Sequence, residues 1–198
     1  MKEIVTALTT TAIFSDEGAK RYLLKKVWDA EKPKLAIVML APSTAAAIEL
    51  DTTTQLVLNN AARLGYGSVS IVNLFATLND FLLKHAETED VENMDAIVKA
   101  AEEADLVIYA PGVGKSKNKV FQKQQEQVLR ALQPFEEKLH CLCSVNGGGR
   151  LQHPLSPVVR VWGLSPLKVQ DLLPEPAVVQ VEQKKRGRVK VTKVEQPS

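Results

Sequence analysis

His153, Asp51 and Asn73 are the residues of this chain best placed by type and setting to do chemistry. His153 sits in a proline-bounded loop, Leu151 to Pro157, just after a glycine-rich run. A histidine there can act as an acid or as a positively charged electrostatic partner near neutral pH, and it reads equally as a surface histidine. Asp51 precedes Thr52 to Thr54, so it suits a general base and suits a helix cap as well. Asp80 reads as a turn residue near the same edge. Asn73 interrupts an apolar strand, where a polar side chain needs hydrogen bonds. Gly114-Lys115-Ser116 invites comparison with a nucleotide-triphosphate loop, which needs an earlier glycine where this chain has Tyr109. The plainer readings are a close backbone approach to a ligand, with Lys115 available to an anion, or a turn before a helix. No pair of His or Cys residues has metal-ligand spacing, and neither a metal nor a cofactor is expected. Cys141 and Cys143 lie on one face of a strand and are poor disulfide partners, which suits buried, reduced thiols.

The elements that must hold these residues are set by hydrophobic patterning. Leu35 to Leu40 is apolar and uncharged between Pro33 and Pro42, as in a strand buried on both faces. Pro42 ends it, and Ser43 or Thr44 can cap the helix after it. The pattern then predicts a helix over 53–64, a strand over 68–75, a helix over 90–104 and a strand over 105–110. A helix over 119–132 and a strand over 139–145 come next. Ahead of these, TTTAIFS and RYLLKKVW flank Asp16-Glu17-Gly18 and read as a β-hairpin, the second segment also suiting a short helix. The alternation predicts an α/β fold, a mostly parallel central sheet flanked by helices on both faces. Loops at the carboxyl ends of such strands hold ligands. Four meet there: APST, NLFA, PGVGKS and NGGGRLQHPLSP. They offer Pro42, Ser43, Thr44, Phe75, Gly112, Lys115 and Arg150 as ligand-binding candidates beside His153, Asn73 and Asp51.

At 198 residues, 45% apolar, the chain has enough material for one core, placed here at 1–176. The net charge of +2 says little, but Lys184, Lys185, Arg186, Arg188, Lys190 and Lys193 make a basic segment within 177–198. That segment reads as a β-hairpin with a basic tip or as a disordered tail, able to hold phosphate backbones loosely or merely solvated. No run is long enough to span a bilayer, and the first residues make a poor signal peptide, so a cytoplasmic protein is expected.

The same loops carry a resemblance. Met39-Leu40-Ala41-Pro42-Ser43-Thr44-Ala45, Asp51-Thr52-Thr53, Gly65-Tyr66-Gly67, Asn73-Leu74-Phe75-Ala76 and His153-Pro154-Leu155 occur in order. Together with the opening FS…RYLLKKVW, they resemble the bacterial and phage family of unknown function DUF1643 over about residues 10–165. Two departures stand out: Ala41 replaces the family's Asn, and Pro111-Gly112 replaces its Trp-Gly. More distantly, Pro42, Asn73, Gly112 and His153-Pro154 are similar in layout to the uracil-DNA glycosylase superfamily. That resemblance implies a three-layer sandwich, Asn73 as a base-reading amide, His153 stabilising charge on a leaving base, and no water-positioning side chain at Ala41. Three functions are therefore expected in turn: a binder of a nucleobase, nucleotide or nucleic acid, an enzyme hydrolysing an N-glycosidic bond, or an unrelated small-molecule enzyme using Asp51.

Overall fold

The computed structural model describes residues 1–43, 48–113, 117–146 and 148–173. Thr44, Lys115, the Gly114–Ser116 turn and the basic segment 177–198, with its proposed boundary, lie outside the described residues. A seven-stranded sheet runs through the chain: β1 (Thr9–Phe14), β2 (Arg21–Val27), β3 (Lys34–Met39), β4 (Ser68–Asn73), β5 (Leu106–Tyr109), β6 (Leu139–Cys143) and β7 (Gly163–Pro166). Their order across the sheet is β1-β2-β4-β3-β5-β6-β7. The middle four are parallel, and β2 and β7 join them antiparallel, with β1 beyond β2. The hairpin of β1 and β2 is present, and RYLLKKVW is strand, not helix.

Among the described residues three α-helices cover the two faces: α1 (Thr52–Arg63), α2 (Val91–Glu103) and α3 (Lys119–Leu132). Val57 and Ala61 of α1 pack on Leu35, Ile37, Val69 and Ile71. Ile97 of α2 and Val128 and Leu129 of α3 pack on Ala36, Val38, Val72 and Val107 from the opposite side. Alternate residues of β3 thus serve two cores, which is why its sequence is a continuous apolar run. Cys141 and Cys143 are buried free thiols. No helix among the described residues is long and apolar enough to cross a membrane.

The chain reverses its direction of travel across the sheet at β3. It goes to β4 on one side through α1, then crosses back to β5 on the other side through α2. The loops leaving β3 and β5 therefore turn to opposite faces and leave a crevice between them. That is the place where open α/β sheets hold ligands.

Beyond the sequence pattern, β4 ends at Asn73 and β6 at Cys143, each two residues early, and β7 is an added edge strand. Leu74 and Phe75 leave the sheet but still donate N–H groups to the carbonyls of Met39 and Leu40, at 2.8 and 3.1 Å. Leu74's own carbonyl accepts from Asn93 Nδ2 at 3.1 Å and Gln124 Nε2 at 2.7 Å. These buried amides thus serve a backbone group that has run out of ladder.

The connection from β6 to β7 is fastened to α1 by one buried side chain. Asn60 donates Nδ2 to the Arg160 carbonyl at 3.1 Å and accepts the Trp162 N–H on Oδ1 at 3.0 Å. Replacing Asn60 by alanine strips the buried Trp162 N–H and the part-buried Arg160 carbonyl of this partner, so a loss of about 1–3 kcal/mol is expected in urea unfolding. A change within about 0.5 kcal/mol would show that this connection does not depend on the amide.

Candidate functional site

A cavity of about 680 Å³ opens at the crevice between β3 and β5, within the size range of small-molecule sites. Its walls come from the end of β3 and its loop, the N-terminus of α1, the loop after β5, and residues 152–156 of the β6–β7 connection. Of the residues singled out from the sequence, Asp51, Ser43, Gly112 and His153 line it. Asn73, Pro42, Phe75 and Arg150 are not among its lining residues. Phe75 is fully buried in the core beneath α2 and α3, while Arg150 is exposed and donates to the Pro166 carbonyl at 3.0 Å. Asn73 is buried in register with Met39, which does line the cavity, and its Nδ2 has no partner among the described residues. Asp80 organises the loop after β4, accepting the N–H groups of Lys84 and His85, both at 2.7 Å.

Two further lining residues carry no motif of their own in the sequence. Arg21 is 2% exposed and reaches the Ser43 carbonyl with Nη1 at 3.3 Å. It stands at a bulge: the β1–β2 register slips so that Phe14 faces Arg21 and Tyr22 is left over. Bulges bend a strand and re-aim side chains. Phe81, at the mouth, belongs to the loop that Asp80 ties together. The only sequence signal for Arg21 is its position opening RYLLKKVW; Phe81 has none beyond proximity to NLFA.

Asp51 is both cap and wall. Its Oδ1 accepts the Thr54 N–H at 2.7 Å and so starts α1. Burial pushes its carboxyl upward, but hydrogen bonds from the Ser43 hydroxyl, the Thr54 N–H and the Thr54 hydroxyl, and the Arg21 charge, leave it below its ordinary value. It is an anion across the physiological range. Arg21 is drawn down by burial and held up by Asp51. A guanidinium nonetheless stays protonated.

His153 is half-buried, and burial lowers its pKa against the opposing pull of the Asp51 charge. Its Nδ1 lies 3.2 Å from the Leu155 N–H and accepts from it, so the proton of the neutral ring resides on Nε2. At neutral pH the ring is therefore a neutral hydrogen-bond donor. As pH falls, the unfolded chain takes up a proton at about pH 6.5, before the folded one does. His153 thus contributes stability fully above that pH and loses it as pH falls below. Thermal unfolding of the wild type should weaken more steeply than that of His153→Gln between about pH 7 and pH 5. Equal slopes would contradict a depressed histidine.

Gly112 sets the position of that ring. Its φ is +83°, and a Cβ there would lie 3.2 Å from the His153 Cβ. Gly112→Ala should therefore cost about 1–2 kcal/mol in backbone strain and displace the imidazole. The expected readouts are a lowered Tm and weaker ligand binding; unchanged values for both would remove Gly112 from the site.

Among the described residues, no cluster of His, Cys, Asp and Glu is suited to hold a metal ion. The arrangement can instead bind a polar edge between a carboxylate and a neutral imidazole N–H, above an apolar floor. No curated protein and no solved structure matches the chain. The family model described as a protein of unknown function, DUF1643, matches residues 21–155, from Arg21 to just past the His153 loop, and the chain belongs to that family.

Proposed function

We propose that the protein binds a nucleobase or nucleotide, free or within a nucleic acid, in the cavity at the carboxyl edge of its sheet. The observation that supports this most is the meeting of Asp51, Arg21 and the Nε2–H of His153 in one pocket of about 680 Å³ with Phe81 at its mouth. A carboxylate takes the N–H groups of a base edge, an imidazole N–H serves its oxygen or ring nitrogen, and an aromatic ring supports its face. Salt-sensitive binding of labelled single-stranded DNA that is lost in His153→Ala, or is competed by free nucleosides, is expected. Binding indifferent to both would assign the DNA contact to another surface.

A second reading is hydrolysis of an N-glycosidic bond, as the layout shared with uracil-DNA glycosylases suggests. It is favoured by Asp51 and His153 lying close enough for the carboxylate charge to act on the imidazole. In that reaction the bond from the anomeric carbon to the base nitrogen breaks and its electron pair leaves with the base. His153 Nε2–H stabilises the departing base, Asp51 stabilises the positive sugar, and water adds to the anomeric carbon and releases its proton. Asp51 would then supply charge in the pocket where Ala41 has no polar group. Base release that falls in both His153→Ala and Asp51→Asn supports the enzyme; binding without release leaves the binder.

A further inference from the structure

The described lining of the cavity is close to electrically neutral, and that constrains what enters it. Among its described lining residues only Arg21 and Asp51 carry a full charge, of opposite sign. Asp51 also occupies the place where an anion would otherwise sit. Free N–H groups at a helix N-terminus attract phosphates, but at α1 the Thr54 N–H is already taken by the Asp51 carboxylate at 2.7 Å. A phosphate arriving there would meet a negative charge. The rest of the wall is largely apolar, with Met39, Leu40, Ala41, Val113 and Leu155. Phe81 is 47% exposed at the mouth, large for an aromatic side chain without a partner surface to cover. Its loop is held by the two N–H bonds to Asp80 and by the Asn79 N–H, which donates to the Pro42 carbonyl at 2.9 Å.

We propose that the cavity selects the uncharged, flat ring of its ligand, stacked on Phe81, and gains nothing from a phosphate. This rests on the nucleobase reading above and narrows it: the pocket takes the base, and any phosphate stays outside.

The test is calorimetric titration of the full chain with adenosine, guanosine, cytidine and uridine, each beside its 5′-monophosphate. Inorganic phosphate serves as competitor. At least one nucleoside should bind, its monophosphate should bind within about threefold of it, and phosphate should displace neither. Asp51→Asn keeps a good cap but removes the negative charge facing Arg21, so it should shift preference toward the monophosphate by about tenfold. Phe81→Ala should weaken the nucleoside about tenfold or more, and Phe81→Trp should restore it. A wild-type monophosphate tenfold tighter than its nucleoside would overturn the neutral-pocket proposal while leaving base binding intact, and an inert Phe81→Ala would overturn the stacking wall. Failure of every nucleoside and nucleotide to bind would overturn the nucleobase reading and this proposal with it.

Discussion

Gly67→Ala is expected to destabilise the protein by more than about 3 kcal/mol, enough to abolish soluble expression of a marginally stable domain. Gly67 lies just before β4, against the connection from β2 to β3. A methyl group at its Cα would overlap the Asp29 carbonyl and crowd the Lys32 Cβ at 2.7 Å. The backbone cannot shift to make room. Gly67 N–H donates to the Pro33 carbonyl at 2.9 Å, and its own carbonyl accepts the N–H groups of Trp28 and Asp29 at 2.9 and 3.0 Å. Immediately beyond, Ser68 is in register with Val27 on one side and Lys34 on the other. Moving Gly67 therefore breaks three hydrogen bonds and disturbs the starts of both central strand pairs. Gly148→Ala, where nothing lies within 4 Å of the added carbon, is the control and should be nearly silent. Similar urea midpoints for the two variants would mean that the β2–β3 connection yields more easily than its hydrogen bonds suggest.

His153→Ala should leave the fold in place and weaken ligand binding by about tenfold or more. Among the described residues the side chain makes one hydrogen bond, from the Leu155 N–H, and the loop retains others. The Ser156 N–H still reaches the residue 153 carbonyl at 2.8 Å, and the Gln152 N–H reaches that of Leu142 at 3.2 Å. What is lost is the Nε2–H donor and part of the cavity wall. If the protein hydrolyses a glycosidic bond, the loss should be larger in rate than in affinity, about a hundredfold or more in kcat, because a donor to a leaving base acts mainly in the transition state. Equal losses in 1/KM and kcat/KM, with kcat unchanged, would make His153 a binding group only. His153→Asn, which supplies an amide N–H, should recover part of the binding.

Much of the architecture is legible in the chain because strand and helix periods differ so plainly. The run from Leu35 to Leu40 is apolar throughout because it faces two cores, and α3 shows its buried face through Gln124, Val128 and Leu132, while Val120 at the same spacing is exposed. The edge strand β7 is not legible, since Gly-Leu-Ser-Pro has no alternation and is ordered by pairing with β6. At the site, proline and glycine after buried strands do locate the loops that meet. They do not tell which side chains turn inward. NLFA looks like a site wall, yet Leu74 and Phe75 turn into the core once the chain leaves the sheet. Arg21 lies in the cavity beside a bulge in the β1–β2 pairing, and a register slip between two strands leaves no mark in either sequence. Asp51 shows why residue type leaves the cap and the functional reading both open. The same carboxylate starts α1 and faces His153, and nothing in an aspartate before a threonine run separates those roles.

Everything proposed for the site depends on the cavity being a base-binding pocket that uses a neutral His153. The most direct measurement is calorimetric titration of free nucleobases into the wild type and into His153→Ala at pH 7.5. Saturable binding of at least one base to the wild type is predicted, with a loss of about tenfold or more in the variant. Equal binding to both proteins, or no binding to the wild type, would contradict it.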